Sequence, residues 1–174
     1  SPMPRDVRTL VDELRKTPHD VDLLRAVQHA LSDGMHQQEL AHLLEWWAGY
    51  APDDAAASKA LLDAARCLQD RAGKYAHELA LVMAALVRDP ANEKASYRLR
   101  QMLESADNYL ELERVLSEWA LSVRREGAPA TLCAMASFTL ALVRAHHLDD
   151  VDGGISALED ALRALENGDV DAAK

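Results

Sequence analysis

The sequence is poor in aromatic residues, in β-branched residues and in cysteine. Aromatic side chains make up 5% of its 174 residues, and alanine and leucine dominate the apolar ones. Such a composition favours helices over sheets. Hydrophobic residues still account for 49% of the chain, which is enough to build a core and excludes wholesale disorder.

The chain also lacks an excess of basic residues. Its net charge is −10, and the segment from Asp149 to Lys174 carries eight acidic and two basic residues. Nucleic acids and anionic membrane surfaces both attract basic proteins, so neither is predicted as a partner. No uncharged run reaches the roughly 20 residues that a membrane-spanning helix needs.

The two cysteines, Cys67 and Cys133, have neither a CxxC spacing nor histidine-rich surroundings. We interpret them as buried thiols of a protein in the reducing cytoplasm. The segment from Ser1 to Arg5 has no apolar stretch typical of a signal peptide. A cytoplasmic location is therefore predicted. Separately, we predict that the protein binds neither a metal nor a cofactor.

Helical periodicity extends over almost the whole chain, and strand alternation is not seen. Turn signals at Gly34, Gly73, Asp107-Asn108 and Gly153-Gly154 separate helical stretches, and each of Pro52, Pro90 and Pro129 precedes a new one. The predicted helices are 5–16, 20–32, 36–50, 54–72, 75–88, 92–105, 109–126, 130–146 and 154–167. The short links between them predict antiparallel helix pairs.

Two of the predicted helices resemble each other at a shift of 72 residues. The matching positions are Leu40, Leu43, Leu44, Trp47 and Ala48 in one helix and Leu112, Val115, Leu116, Trp119 and Ala120 in the other. Their spacing of i, i+3, i+4 and i+7 places each set on one buried face. Self-similarity of helix pairs at a fixed period is typical of an α-solenoid.

Short motifs between residues 59 and 119 resemble the tetratricopeptide repeat (TPR) family. Gly73-Lys74-Tyr75 is similar to its inter-helix turn, Ala85 to its small second-helix residue, and Asp89-Pro90-Ala91-Asn92 to the motif that closes a repeat. The family's pattern is not followed at Glu78, Leu112, Arg66 and Arg100, and HEAT-like or other helix-pair solenoids remain alternatives. The resemblance implies an all-α, α-α superhelix of about four antiparallel helix pairs, forming a single domain over 1–174.

The last six residues, Asp169 to Lys174, resemble the segment from Asp89 to Lys94, where one repeat closes and the next begins. We interpret this as the start of a further helix pair. The chain is therefore expected to be a segment, or the end, of a longer array.

The TPR resemblance implies a protein-binding scaffold rather than an enzyme, with a groove lined by the first helix of each pair. The implied groove residues are Arg25, Gln28, Asp63, Asp70, Lys94, Tyr97, Arg98 and Gln101, together with Leu24, Ala64 and Cys67. Lys94 and Arg98 match the two basic positions of carboxylate-binding TPRs, and their i, i+4 spacing lets both reach one carboxylate. Leu24 and Ala64 replace the other polar positions of that clamp. A peptide of mixed charge is therefore the predicted partner.

Two alternatives remain open from the sequence. The helix 130–146 has no charge before Arg144, so either its neighbours cover it, or Met135, Phe138 and Leu142 form a stripe for a partner or for self-association. A helical metal protein or enzyme is the other alternative. It would use the pair Glu39 and His42, or the polar turn that holds His146 and Asp149.

Overall fold

The computed structural model describes residues 5–172, which form nine α-helices and no strand. The helices are α1 (Arg5–Lys16), α2 (Val21–Ala30), α3 (Gln37–Ala48), α4 (Asp54–Leu68), α5 (Tyr75–Arg88), α6 (Glu93–Glu104), α7 (Tyr109–Arg125), α8 (Ala130–His147) and α9 (Val151–Ala172). The predicted all-helical fold is confirmed, and most predicted helices match an observed one closely. None of the helices in this described part is long and apolar enough to cross a membrane.

Local hydrogen bonds explain where several helices begin. The side chains of Asp20, Asp53 and Asn108 accept hydrogen bonds from backbone N–H groups in the first turns of α2, α4 and α7. Gly34 and Gly73 adopt φ of +80° and +73°, a left-handed conformation that side chains disfavour and glycine tolerates. The predicted turns at these positions are therefore confirmed.

The turn predicted at Gly153-Gly154 is wrong, because both glycines lie in the first turn of α9. The chain reverses earlier, at Asp149 with φ of +52°. The Asp150 carboxylate then accepts a hydrogen bond from the Gly153 N–H at 2.9 Å. A Cβ on Gly154 would lie 3.3 Å from the Ala141 carbonyl oxygen. Glycine therefore permits close packing of α9 on α8 at this point, rather than ending a helix.

Two other predicted boundaries also differ from the structure. Helix α4 ends at Leu68 rather than at residue 72, because Asp70 already adopts a left-handed φ of +60°. Helix α9 continues through Ala172, so no turn forms where Asp169 was predicted to begin a further repeat. The remainder of that predicted segment, Ala173 and Lys174, lies outside the described residues.

The chain divides into two compact units, one ending at Glu93 and the other starting at Lys94. In the first unit, α1 packs on α2, and α4 packs on both α3 and α5. Its largest fully buried side chains are Leu14, Val27, Leu31, Leu44, Leu68, Leu79, Val82 and Met83. Packing between adjacent helices is consistent with a helical repeat. The superhelix, and the single domain over 1–174, remain predictions.

The two helices that resemble each other in sequence bury equivalent faces. All five positions in α3, from Leu40 to Ala48, are at most 7% exposed. In α7, the matching residues other than Trp119 are also at most 7% exposed, whereas Trp119 is half-buried. Trp47 also donates a hydrogen bond from its indole N–H to the Pro18 carbonyl oxygen at 2.7 Å. The predicted buried faces are thus confirmed, each within its own unit.

The motif at residues 89–92 anchors the end of α5 to α4. The buried Ser58 hydroxyl donates to the Ala85 carbonyl oxygen at 2.7 Å and accepts from the Asn92 side-chain amide at 2.8 Å. Asp89 accepts a hydrogen bond from the Ala91 N–H at 3.0 Å. The asparagine side chain therefore fixes the exit of α5 against the preceding helix.

In the second unit, α8 packs against both α7 and α9. Arg144 of α8 links all three helices. Its guanidinium donates to a Glu113 carboxylate oxygen at 3.0 and 3.1 Å, to the Gly153 carbonyl oxygen at 3.1 Å, and to the Ser117 hydroxyl at 3.3 Å. These contacts satisfy the first charge that α8 carries after a long apolar stretch.

Candidate functional site

The predicted binding residues of the second unit all lie on α6. Lys94, Tyr97, Arg98 and Gln101 follow one another at spacings of i, i+3, i+4 and i+7, which places them on one face of the helix. Tyr97 is 57% exposed, and its hydroxyl accepts a hydrogen bond from the Gln101 side-chain amide at 3.2 Å. Lys94 is exposed and Arg98 is half-buried. We refer to these four residues as the α6 cluster.

A surface depression of about 430 Å³ adjoins the α6 cluster. It is lined by Tyr97, Arg98, Arg100, Gln101, Glu104 and Ser105. The lining thus contains two guanidinium groups, one carboxylate and one aromatic ring, a combination that suits a partner with acidic groups beside an apolar side chain.

The predicted binding residues of the first unit lie on two helices and one turn. Arg25 is exposed on α2, where its guanidinium lies 3.8 Å from the Asp22 carboxylate, and Gln28 is half-buried on the same helix. Asp63 on α4 forms ion pairs with Lys59 at 2.9 Å and Arg66 at 3.4 Å. These two cations offset the acidic character that Asp63 was predicted to give this surface.

Asp70 is exposed but lies beyond the end of α4, in a left-handed backbone conformation. Three further positions that the resemblance placed in the groove belong instead to the core. Leu24 and Cys67 are 6% and 8% exposed, and Ala64 is fully buried. Burial raises the pKa of the Cys67 thiol, and the nearby Asp63 carboxylate raises it further. The apolar sides of α2 and α4 thus face the interior at these three positions, and the prediction that they line a surface is wrong.

The residues proposed for a metal site are distributed over both units. Glu39 and His42 lie on α3, where the His42 ring is 5.9 Å from the ring of His77. His77 in turn contacts the Glu45 carboxylate at 2.9 Å. Among residues 5–168, whose side chains the structure describes, no group of three or more histidine, cysteine or acidic side chains is arranged to hold a metal ion.

The polar turn after α8 has structural roles. The His147 ring stacks on Tyr109, with ring centroids 3.9 Å apart and planes 3° from parallel. Asp149 supplies the left-handed turn residue, and Asp150 caps α9. Packing and turn geometry therefore explain why these side chains occur together.

The apolar helix α8 is covered on only part of its surface. Phe138 is 50% exposed and Leu142 is 36% exposed, whereas Met135 is half-buried. The structure combines the two alternatives left open by the sequence, because neighbouring helices cover most of α8 while Phe138 and Leu142 stay exposed. On the opposite side of this helix, Ala136, Leu140 and Val143 are buried.

A second exposed stripe, on α9, was missed by the sequence reasoning. Its members are Val151, Ile155, Leu158, Leu162 and Leu165, each between 41% and 61% exposed. Their alternating spacings of four and three residues could have revealed it. The predicted helix 154–167 contains four of these five residues, so the signal was present in the sequence.

Comparisons with known proteins do not identify a family. No protein-family model matches the chain, and neither a curated protein nor a solved structure is significantly similar to it. The resemblance to TPR proteins therefore rests on the motifs themselves.

Proposed function

We infer that the chain is a protein-interaction module, a TPR-like scaffold that binds a partner peptide or the face of a partner domain through the α6 cluster. The observation that carries this proposal is the exposure of Tyr97 between two cations on one helix face. Tyrosine and arginine are the residue types that most often dominate binding energy at protein interfaces. The hydrogen bond from Gln101 restrains the tyrosine ring, which lowers the entropy that binding would cost.

The charges of the α6 cluster define the partner's chemistry. Lys94 and Arg98 lie one helical turn apart, so they can contact the same carboxylate or two successive acidic residues. The depression beside Tyr97 also contains Glu104, which favours a partner that carries a basic group as well. A peptide of mixed charge with an aromatic or aliphatic anchor meets these requirements.

A capture experiment from a lysate of the native organism tests this proposal. The wild-type chain is compared with a Lys94→Glu/Tyr97→Ser variant, in which both altered side chains are exposed. The matched control is Lys16→Glu/Val21→Ser, which makes the same charge change and also replaces an exposed residue. We expect one protein to be retained by the wild type and the control and lost by the α6 variant.

Retention of the same protein by all three forms would place the binding surface elsewhere. Failure of the wild type to retain any protein would contradict the scaffold proposal. Self-association would then be the alternative to examine, by measuring the molecular mass in solution as a function of concentration.

A further inference from the structure

The exposed stripe on α9 has the spacing of a helix that packs against another helix. Val151, Ile155, Leu158, Leu162 and Leu165 alternate by four and three residues over the described length of the stripe. This is the a/d pattern that inserts side chains between those of a facing helix. The side of α9 that packs on α8 is built from small residues, Gly154, Ala157 and Ala161, which are buried. Large apolar residues therefore face outward, and small ones mediate the contact with α8.

The stripes of α8 and α9 face the same side of their hairpin. The interface between the two helices passes through Gly154 and Ala141 at one end and Gly168 and Ala130 at the other. An α-helix turns by about 100° per residue. On each helix, the stripe is therefore rotated by roughly a quarter of a turn from the interface residues, in the same direction when each helix is viewed from its N-terminus. Because the helices are antiparallel, equal rotations bring both stripes to one side. We call this surface, made of the α9 stripe with Phe138 and Leu142, the α8–α9 face.

The α8–α9 face is larger than scattered surface residues would produce. Its seven members are between 36% and 61% exposed. Together they expose apolar area on the order of several hundred Å², which is as large as the most extensive apolar patch of a typical monomer. Apolar surface of this extent marks a site of contact with another molecule, so this face has the character of an interface.

Acidic residues border the α8–α9 face along α9. Asp152, Glu159 and Glu166 are exposed and occur every seven residues, next to the apolar stripe. The one basic residue in the sequence of α9, Arg163, is paired with Asp160 at 2.8 Å. The border of the stripe is therefore predominantly acidic.

This charge distinguishes among the possible occupants. Two copies joined through antiparallel α9 helices would place their carboxylate rows beside each other, which is unfavourable, and two parallel copies would offer neither row a basic partner. An anionic lipid surface would be repelled for the same reason. A helix with basic residues beside its apolar stripe would form complementary pairs along the whole border.

We propose that the α8–α9 face binds an amphipathic helix of a partner protein whose apolar stripe is flanked by lysine or arginine. The apolar side chains of that helix pack between the α9 stripe and the Phe138–Leu142 row. Its basic side chains reach the row formed by Asp152, Glu159 and Glu166. This site rests on observations independent of the α6 cluster.

Binding of two synthetic helical peptides to the full chain, measured by fluorescence anisotropy, tests the proposal. Both peptides carry leucine in an a/d pattern over three heptads. The flanking positions are lysine in one peptide and glutamate in the other. We expect the lysine peptide to bind with a stoichiometry of one, and the glutamate peptide to bind at least about tenfold more weakly.

Variants of the face supply the controls. Leu158→Lys/Leu162→Lys should weaken binding of the lysine peptide by about 100-fold, from loss of two buried leucines and like-charge repulsion. Leu110→Lys/Leu121→Lys alters two comparably exposed leucines of α7 and should change binding less than about twofold. Glu159→Lys/Glu166→Lys should reverse the preference between the peptides, whereas the control Glu39→Lys/Glu93→Lys should preserve it.

Three results would overturn the proposal. The first is failure of both peptides to bind, and the second is equal binding of the lysine and glutamate peptides. The third is a wild-type chain that forms a dimer while the Leu158→Lys/Leu162→Lys variant is a monomer. The last result would identify a second copy as the occupant. The Lys94→Glu/Tyr97→Ser variant should bind the lysine peptide normally, which separates this site from the proposed function of the α6 cluster.

Discussion

Replacing Arg144 by methionine is expected to destabilise the α7–α9 bundle by about 2 kcal/mol. The change removes the guanidinium that contacts Glu113, Ser117 and the Gly153 carbonyl oxygen, while the apolar stem is largely preserved. Hydrogen bonds that involve a charged group contribute about 1.5–3 kcal/mol each when buried. The side chains of Arg144 and Glu113 are 21% and 27% exposed, so solvent screening reduces the sum well below the buried value.

Hydrogen exchange measured by mass spectrometry can detect this loss where it occurs. A destabilisation of about 2 kcal/mol corresponds to a roughly 30-fold fall in amide protection for the most stable part of the bundle. Peptides from α7, α8 and α9 should show it. Peptides from α3 to α5 report on the other compact unit and serve as an internal reference.

A matched variant distinguishes the Arg144 network from ordinary surface ion pairs. Arg163→Met removes a guanidinium that is 64% exposed and pairs only at the surface with Asp160, so protection should change less than about twofold. Unchanged protection in Arg144→Met would refute the assigned role of the network. An equal fall in α3 to α5 would show that the effect is not local to the α7–α9 bundle.

Three further predictions concern single sites. Ser58→Ala should lower the free energy of unfolding by about 1–2 kcal/mol in urea titrations, because the buried Ala85 carbonyl loses its hydroxyl donor. Gly168→Ala should lower the melting temperature, since the new Cβ would lie 2.3 Å from the Ala130 Cβ. Adding Ala130→Gly should restore it, and a neutral single variant would contradict the packing described. Burial raises the pKa of the Cys67 thiol above its ordinary value, so the thiolate is disfavoured in the folded state. The stability that this shift contributes is lost as the pH rises through the raised pKa. Cys67 should accordingly react with iodoacetamide much more slowly in the native protein than in urea, and equal rates would contradict this.

The fold class could be predicted because helical periodicity, capping residues and turn glycines all agree in this sequence. Gly34 and Gly73 ended or separated helices as expected, since both adopt left-handed backbone conformations. The turn predicted at Gly153-Gly154 is wrong because the sequence alone does not distinguish a glycine that turns the chain from one, such as Gly154, that lets two helices approach. The deciding fact is the closeness of Ala141 and Ala145, which is a tertiary contact.

The sequence could predict which residues of the candidate site share one face of a helix, but not whether that face is exposed. The α6 cluster lies on one face as its spacing required. Leu24, Ala64 and Cys67 satisfied the same spacing rule, yet they are core residues. The regular spacing of an apolar stripe likewise does not tell whether another helix already covers it, and the exposure of the α8–α9 face became evident only from the packing around it.

Site-specific photocrosslinking at position 97 in the native cell tests the interaction role most directly. A photoreactive amino acid replaces Tyr97, and in a parallel sample it replaces the exposed Lys16. We expect one discrete crosslinked protein at position 97, absent at position 16 and reduced when Lys94→Glu is added. Absence of any adduct at position 97, or the same adducts at both positions, would contradict the assignment of the α6 cluster as a protein-binding site.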